Sequence, residues 1–307
     1  MRLLRIWLAV SAVMALSAAP APADMFHFST GTVLNNIAVD TRPGVAGKFE
    51  IEAGDDFVLT APTALTHATF TGLLTNPQFN GGIPLSSVIS VTVEIYRVFP
   101  NLSDVTRTSG PPTFSTPQVP TRVNSPSDVE LDDRNSPAGT LTFTVNTTGS
   151  FTGAANSIRP GGIKSLLQGG PLTMGDGAVT GTEVVFDVNF TTPFGLPPDH
   201  YFFVPQVDVS GGEFLWLNAS RPIDATGTPF PPGFTDLQSW TRDANLDPDW
   251  LRVGTDIVGG STFNQAFTLD GTTVPEPATL GLLGCGLACL AATRGLRRRV
   301  CAADPGR

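Results

Sequence analysis

Cysteine is missing from the long central part of this 307-residue chain: Cys285, Cys289 and Cys301 all lie close to the C-terminus. Residues 24–273 therefore hold no disulfide, no thiolate metal site and no cysteine nucleophile. The lack names no compartment, because exported proteins are permitted disulfides rather than obliged to have them. Charged residues are scarce at 15% of the chain, and histidine is scarcer, with His27, His67 and His200 far apart. None of the three has a ligand-type companion at i+3 or i+4, so a histidine-based metal or catalytic site is not expected. G-x-S-x-G, H-E-x-x-H and P-loop patterns are absent as well, which removes the common hydrolase, zinc-peptidase and nucleotide signatures. No convincing amphipathic helix lies between the two ends. Parallel sheets need crossover helices, so an α/β fold is excluded on the same ground.

Basic residues are few in the body and concentrated outside it. Arg2 and Arg5 precede the first apolar run, and Arg294, Arg297, Arg298, Arg299 and Arg307 follow the last one. Between Asp24 and Val274 there remain 11 basic residues against 25 acids, a balance of −14. Such a surface repels phosphate backbones and excludes nucleic acid as a partner. It favours divalent cations and basic groups instead.

What the body does contain is phenylalanine, glycine, proline and alternation. All 20 Phe fall in it, with 27 Gly and 22 Pro. Ile89, Val91, Val93 and Ile95 alternate with Ser90, Thr92, Glu94 and Tyr96, and Val184, Phe186, Val188 and Phe190 alternate with Val185, Asp187, Asn189 and Thr191. This period of two predicts strands with one face buried over 88–99 and 182–192. Further strands are expected at 48–52, 56–60, 65–73, 140–146, 200–209, 213–218, 250–253 and 263–269, with a helical turn or two at 162–168. Short strands between Gly and Pro turns give an all-β fold, an antiparallel sandwich or jelly-roll-like body, filled by the Phe side chains. Segments 100–139 and 149–181 break the pattern and are expected to be long insertions in one domain.

The ends carry an address. Met1 to Arg5 is basic, Ile6 to Ala19 is apolar, and Ala21-Pro22-Ala23 is a small-x-small site, so 1–23 reads as a signal peptide cleaved after Ala23. At the other end, Pro275-Glu276-Pro277 is followed by the apolar run 278–292 and by Arg294, Arg297, Arg298 and Arg299. Fifteen helical residues rise about 22 Å, and adding 293–296 with Arg294 snorkelling reaches membrane-spanning length. The arginines then stay cytoplasmic and the body lies on the other side. This tail resembles the PEP-CTERM sorting signal, a tail that is also labelled an ice-binding protein C-terminal domain, a label that describes the tail alone. The resemblance implies Gram-negative export, an inner-membrane-anchored precursor, exosortase as partner, and delivery to the cell surface or extracellular matrix. Pro275, Glu276 and Pro277 are then the recognition motif and the arginines the retention charges. The expected organisation is signal peptide 1–23, extracellular body 24–273, sorting signal with transmembrane helix 274–300, and tail 301–307. The body's Ala53-Gly54-Asp55-Asp56-Phe57, Thr69-Phe70-Thr71-Gly72, 91–96, 201–217 and 250–256 look like parts of an uncharacterised β-sandwich module of other PEP-CTERM proteins.

Three candidate sites remain within the body. Asp243, Asn245, Asp247 and Asp249 place oxygen ligands at alternate positions, as a Ca²⁺ loop does. Pro248 and Gly254 stand where an EF-hand has Gly and Glu, so an EF-hand is rejected; a different Ca²⁺ loop competes with a turn in which these side chains cap backbone amides. Trp216, Trp240 and Trp250 are close in sequence. Trp216 reads as core, and Trp240 is expected to be the most exposed, a ring that could stack on a sugar. Finally, carboxylates such as Glu183, Asp187 or Glu213 could form an acid pair for glycan hydrolysis, though spacing cannot assign one. The functional expectation is a non-enzymatic, exported surface or matrix protein that touches polysaccharide; the alternative is a secreted glycan hydrolase.

Overall fold

The computed structural model describes residues 23–45, 47–106, 123–163, 172–225 and 230–274. The expected signal peptide and C-terminal helix, with Pro275, Glu276, Pro277 and the arginine cluster, lie outside the described residues. Residues Met25–Thr273 form one compact unit.

Fifteen strands build it among the described residues. The first seven are β1 (Met25–Ser29), β2 (Val33–Asp40), β3 (Ile51–Leu59), β4 (Thr63–Thr75), β5 (Val88–Arg97), β6 (Asp132–Asn135) and β7 (Leu141–Ala154). There follow β8 (Asn156–Ile158), β9 (Val179–Leu196), β10 (Asp199–Val209), β11 (Glu213–Ala219), β12 (Trp240–Asp243), β13 (Leu251–Arg252), β14 (Asn264–Gln265) and β15 (Phe267–Thr273). One sheet runs β1-β15-β4-β11-β2-β8, with β9 and then β7 added beside β4, and β14 beside β11. The second runs β13-β12-β3-β10-β5-β6. Every strand pair is antiparallel except β2 with β8. The result is the all-β sandwich that the alternation predicts.

The interior is aromatic. Phe70 of β4 stacks on Phe186 of β9 at 4.8 Å with an interplanar angle of 8°. Phe203 of β10, from the facing sheet, stacks on Phe267 at 5.0 Å and meets Trp216 edge-on at 6.0 Å. These rings therefore join the two sheets as well as neighbouring strands, and offset or edge contacts of this kind add about 1 kcal/mol each to the area they bury. Gly72 makes room for the packing: a Cβ there would lie 2.4 Å from both Leu215 O and the Phe214 ring.

The structure differs from the expected strand map in informative places. The two strands expected at 48–52 and 56–60 are one, β3, buried at all nine positions. Period two puts Asp55 and Asp56 on opposite faces, and both faces are covered, so two adjacent acids are interior. Segments 100–139 and 149–181 are not wholly insertions: β6, the end of β7, β8 and the start of β9 lie within them. A short helix is seen at Pro160–Ile163, and most of the turn expected at 162–168 lies outside the described residues. β1, β2, β6, β8 and β12 had no signal strong enough to predict them, being short or mixed in polarity.

Candidate functional site

A second, smaller core sits on the outer face of the β13-to-β6 sheet. β10 is buried on both sides, and its outward residues Phe202 and Val204 pack with Tyr96, Leu237, Trp240 and Trp250. Trp240 is 2% exposed and Trp250 2%. The expectation that Trp240 is a surface platform is therefore corrected: β12 pairs with the edge of β3, Trp240 opposite Gly54, and the ring is drawn into this layer. Trp216 is core, as its alternation predicts.

Beneath Trp250 lies a buried charged network. Register sets Arg242 opposite Glu52 across β12 and β3. The guanidinium binds both Glu52 oxygens, through Nε to Oε2 and through Nη2 to Oε1 at 3.0 Å. It also donates to Tyr96 Oη at 2.9 Å and packs 4.4 Å from the Trp250 ring. Tyr96 Oη is 2.7 Å from Glu52 Oε1 and 3.2 Å from Glu94 Oε2. One hydroxyl proton cannot serve both carboxyls, so Glu94 brings its own. Burial, followed by the Glu52 charge, pushes Glu94 up to about 10. Although burial alone would lower it, Glu52 raises Arg242 above its ordinary value, which keeps it a cation.

A second polar knot involves His200, whose Nε2 is 2.6 Å from Asp56 Oδ2. Both oxygens of Asp56 also accept from Leu237 N at 3.1 Å. Burial lowers His200 to about 4 and raises Asp56 well above the usual carboxylate range. Next to Leu237 a half-open cleft of about 170 Å³ is lined by Asn124, Arg221, Asp236, Gln238, Trp240 and Arg252 among others. Arg221 donates to Asp236 O at 2.6 Å, and Arg252 is held by Asp256 at 2.6 and 2.9 Å. Burial raises Asp236.

The residues expected to offer Ca²⁺ ligands lie in a turn. Asp243 Oδ1 accepts from Asn245 N at 2.9 Å and from Asn245 Nδ2 at 3.2 Å, while Asp247 binds Arg242 at 3.1 Å. Among the described residues no group of three or more His, Cys, Asp or Glu side chains converges as a metal site. Asp243 Oδ1 and Asn245 thus form the capped turn weighed as the alternative, while Asp243 Oδ2 is buried without a partner and Asp249 is buried. Of the three acids offered for hydrolysis, Glu183 on β9 stands opposite Leu73 of β4. Glu213 on β11 pairs with Arg42 at 3.0 Å and Lys48 at 3.2 Å. Asp187 on β9 pairs with His67 at 3.2 Å. His67 in turn meets Asp270, which binds His27 at 2.7 Å, because β1, β15 and β4 set His27, Asp270 and His67 in one row, with Asp187 two residues off that row on β9. Ala23 is exposed just before β1.

The fold defines an all-β sandwich bearing a polar cleft on its outer layer. Comparison with known proteins supplies the address: residues 273–299 match the PEP-CTERM protein-sorting motif. That motif marks a protein that is exported and processed at the membrane by exosortase. No curated protein and no solved structure matches the chain. Among the described residues no helix is long and apolar enough to cross a membrane.

Proposed function

We propose that the body is a non-catalytic, glycan-interacting module delivered to the cell surface or extracellular matrix, after cleavage of residues 1–23 and transient anchoring by the C-terminal segment. The observation that carries the non-catalytic reading is the commitment of its acids. Glu213 is locked by two cations, Asp187 by His67, and the buried pair Glu52 and Glu94 is sealed under Arg242, Tyr96 and Trp250 with only 4% and 8% of each residue exposed. A glycosidase needs one carboxyl on each side of a scissile bond, both open to substrate. Glu52 and Glu94 instead share a tyrosine hydroxyl and face protein.

Glu52 and Glu94 also define the second reading, a secreted glycan hydrolase, since a neutral acid beside a carboxylate is the pairing such chemistry requires. The test is a panel of extracellular polysaccharides incubated with the full-length exported protein. Saturable binding with no release of reducing ends supports the proposal. Turnover that disappears in Glu52→Gln and Glu94→Gln replaces it with the hydrolase. Failure of the protein to appear outside the inner membrane when Pro275 and Pro277 are both changed to Ala tests the route separately.

A further inference from the structure

The open edge of a sheet presents a row of unpaired N–H and C=O groups, and folds blunt such edges with shortness, charge or proline. Several edge strands here are blunted in that way. β6 is Asp132-Asp133-Arg134-Asn135, β8 has three residues, β13 has two, and β1 has five with His27 at its centre. β7 is the exception. It has 14 residues, pairs with β9 alone, and reads Leu-Thr-Phe-Thr-Val-Asn-Thr-Thr-Gly-Ser-Phe-Thr-Gly-Ala, with neither a charge nor a proline.

Its first half is the open part. Beyond the register shift between Thr147 and Phe151 the strand turns towards β2, where Asn35 donates to Thr152 Oγ1 at 3.1 Å and accepts from Ala155 N at 3.0 Å. From Leu141 to Thr147 the register against β9 is unbroken, and among the described residues no backbone hydrogen bond outside that ladder reaches this run. Thr142, Thr144 and Asn146 are exposed on the outer face, while Leu141, Phe143 and Val145 belong to the inner one. Phe143 and Val145 are only partly buried against the core, so an apolar margin ends at this edge.

A second copy of the same strand answers these features together. Opposed side chains in an antiparallel pair share a face, so the register has to set polar positions against polar and apolar against apolar. A twofold axis at Thr144, the middle of 141–147, does so along the whole run: Thr144 meets Thr144, Thr142 meets Asn146, and Phe143 meets Val145. Thr–Thr and aromatic–β-branched pairs are favourable cross-strand partners. The balance of −14 on the body pushes copies apart, and this strand adds nothing to that repulsion. A basic partner, by contrast, finds no acid on β7 to pair with.

We propose that two copies of the chain join through β7, antiparallel over residues 141–147 about a twofold axis at Thr144, so that the first sheet continues from one copy into the other. This goes beyond the glycan-interacting reading and does not rest on it.

The test is sedimentation of the full-length exported protein over a range of concentrations, with the melting temperature of each variant read by circular dichroism. Thr142→Lys combined with Asn146→Lys sets lysine against lysine across the axis, whereas Thr142→Lys combined with Asn146→Glu sets lysine against glutamate. The expected result is a concentration-dependent dimer in the wild type, lost in the first variant and kept in the second. Should the first variant not fold, Thr144→Lys takes its place, since it opposes two lysines on the axis itself. A wild type that stays monomeric at every concentration overturns the proposal. So does a dimer that persists with lysine against lysine, which places the contact on another surface, or one lost equally in both double variants, which rules out this register.

Discussion

The two cores of this sandwich are built from different materials. Between the sheets, Phe70, Phe186, Phe203, Phe214, Trp216 and Phe267 touch one another in a continuous aromatic layer. On the outer face of the second sheet, Tyr96 and Trp250 pack against an arginine that is bound to one of two neighbouring glutamates. The first is held by apolar burial, which protons do not alter. The second is held by charges out of water, whose cost depends on which groups carry a proton. The cleft opens beside the second, at Leu237 and Trp240.

The largest effect that sharpens this contrast is expected from Phe186→Ala, which removes a ring from the centre of the inner core. It should cost about 4 kcal/mol, by lost transfer energy and the cavity left behind, and urea titration should show the same loss at pH 5 and pH 8. Arg242→Met should cost about 3 kcal/mol by leaving Glu52 buried without its cation. Here the loss should shrink on acidification, since protonation removes the stranded charge. Equal losses at both pH values would break the contrast.

Glu94→Gln gives a finer measurement. Glu94 is raised from 4.5 to about 10 by burial, so the folded state keeps a proton that the unfolded chain gives up. The wild-type protein is then most stable, in this group's contribution, below pH 4.5, and loses stability as pH rises towards 10. The slope is at most about 1.4 kcal/mol per pH unit. The amide variant should lack it, so its advantage over wild type should grow by about 1 kcal/mol from pH 7 to pH 8. Smallest of all, Ile89→Thr should change stability by less than about 0.5 kcal/mol, because Ile89 is 58% exposed at the start of β5.

Ile89 also shows how far alternation can be read. Its strand was legible, as was β9, because one face is apolar and the period is two, whereas β10 and β11 were legible as nearly continuous apolar runs. Ile89 continues the apolar face of Val91, Val93 and Ile95 but is exposed at the start of β5, so pattern alone overstates its burial. β12, Trp-Thr-Arg-Asp, was not legible: three of its four residues are polar, and only register against β3 gives Arg242 its partner. For the same reason Trp240 was expected at the surface. Its flanks are rich in Gly, Pro and Asp, and nothing nearby in sequence shows that β10 needs a cover on its outer face. The site residues Arg221, Gln238 and Arg252 gave no signal because the cleft exists only where separated loops meet.

The class of fold, the acidic, cysteine-free body and the sorting motif are all written in local composition, period or short contiguous motifs. Tertiary structure decided which acids are neutral, which tryptophans are covered and where a polar cleft lies. Those depend on the dielectric surroundings and on partners tens to hundreds of residues away, such as Glu52 for Arg242 and Asp56 for His200, and no local pattern records them.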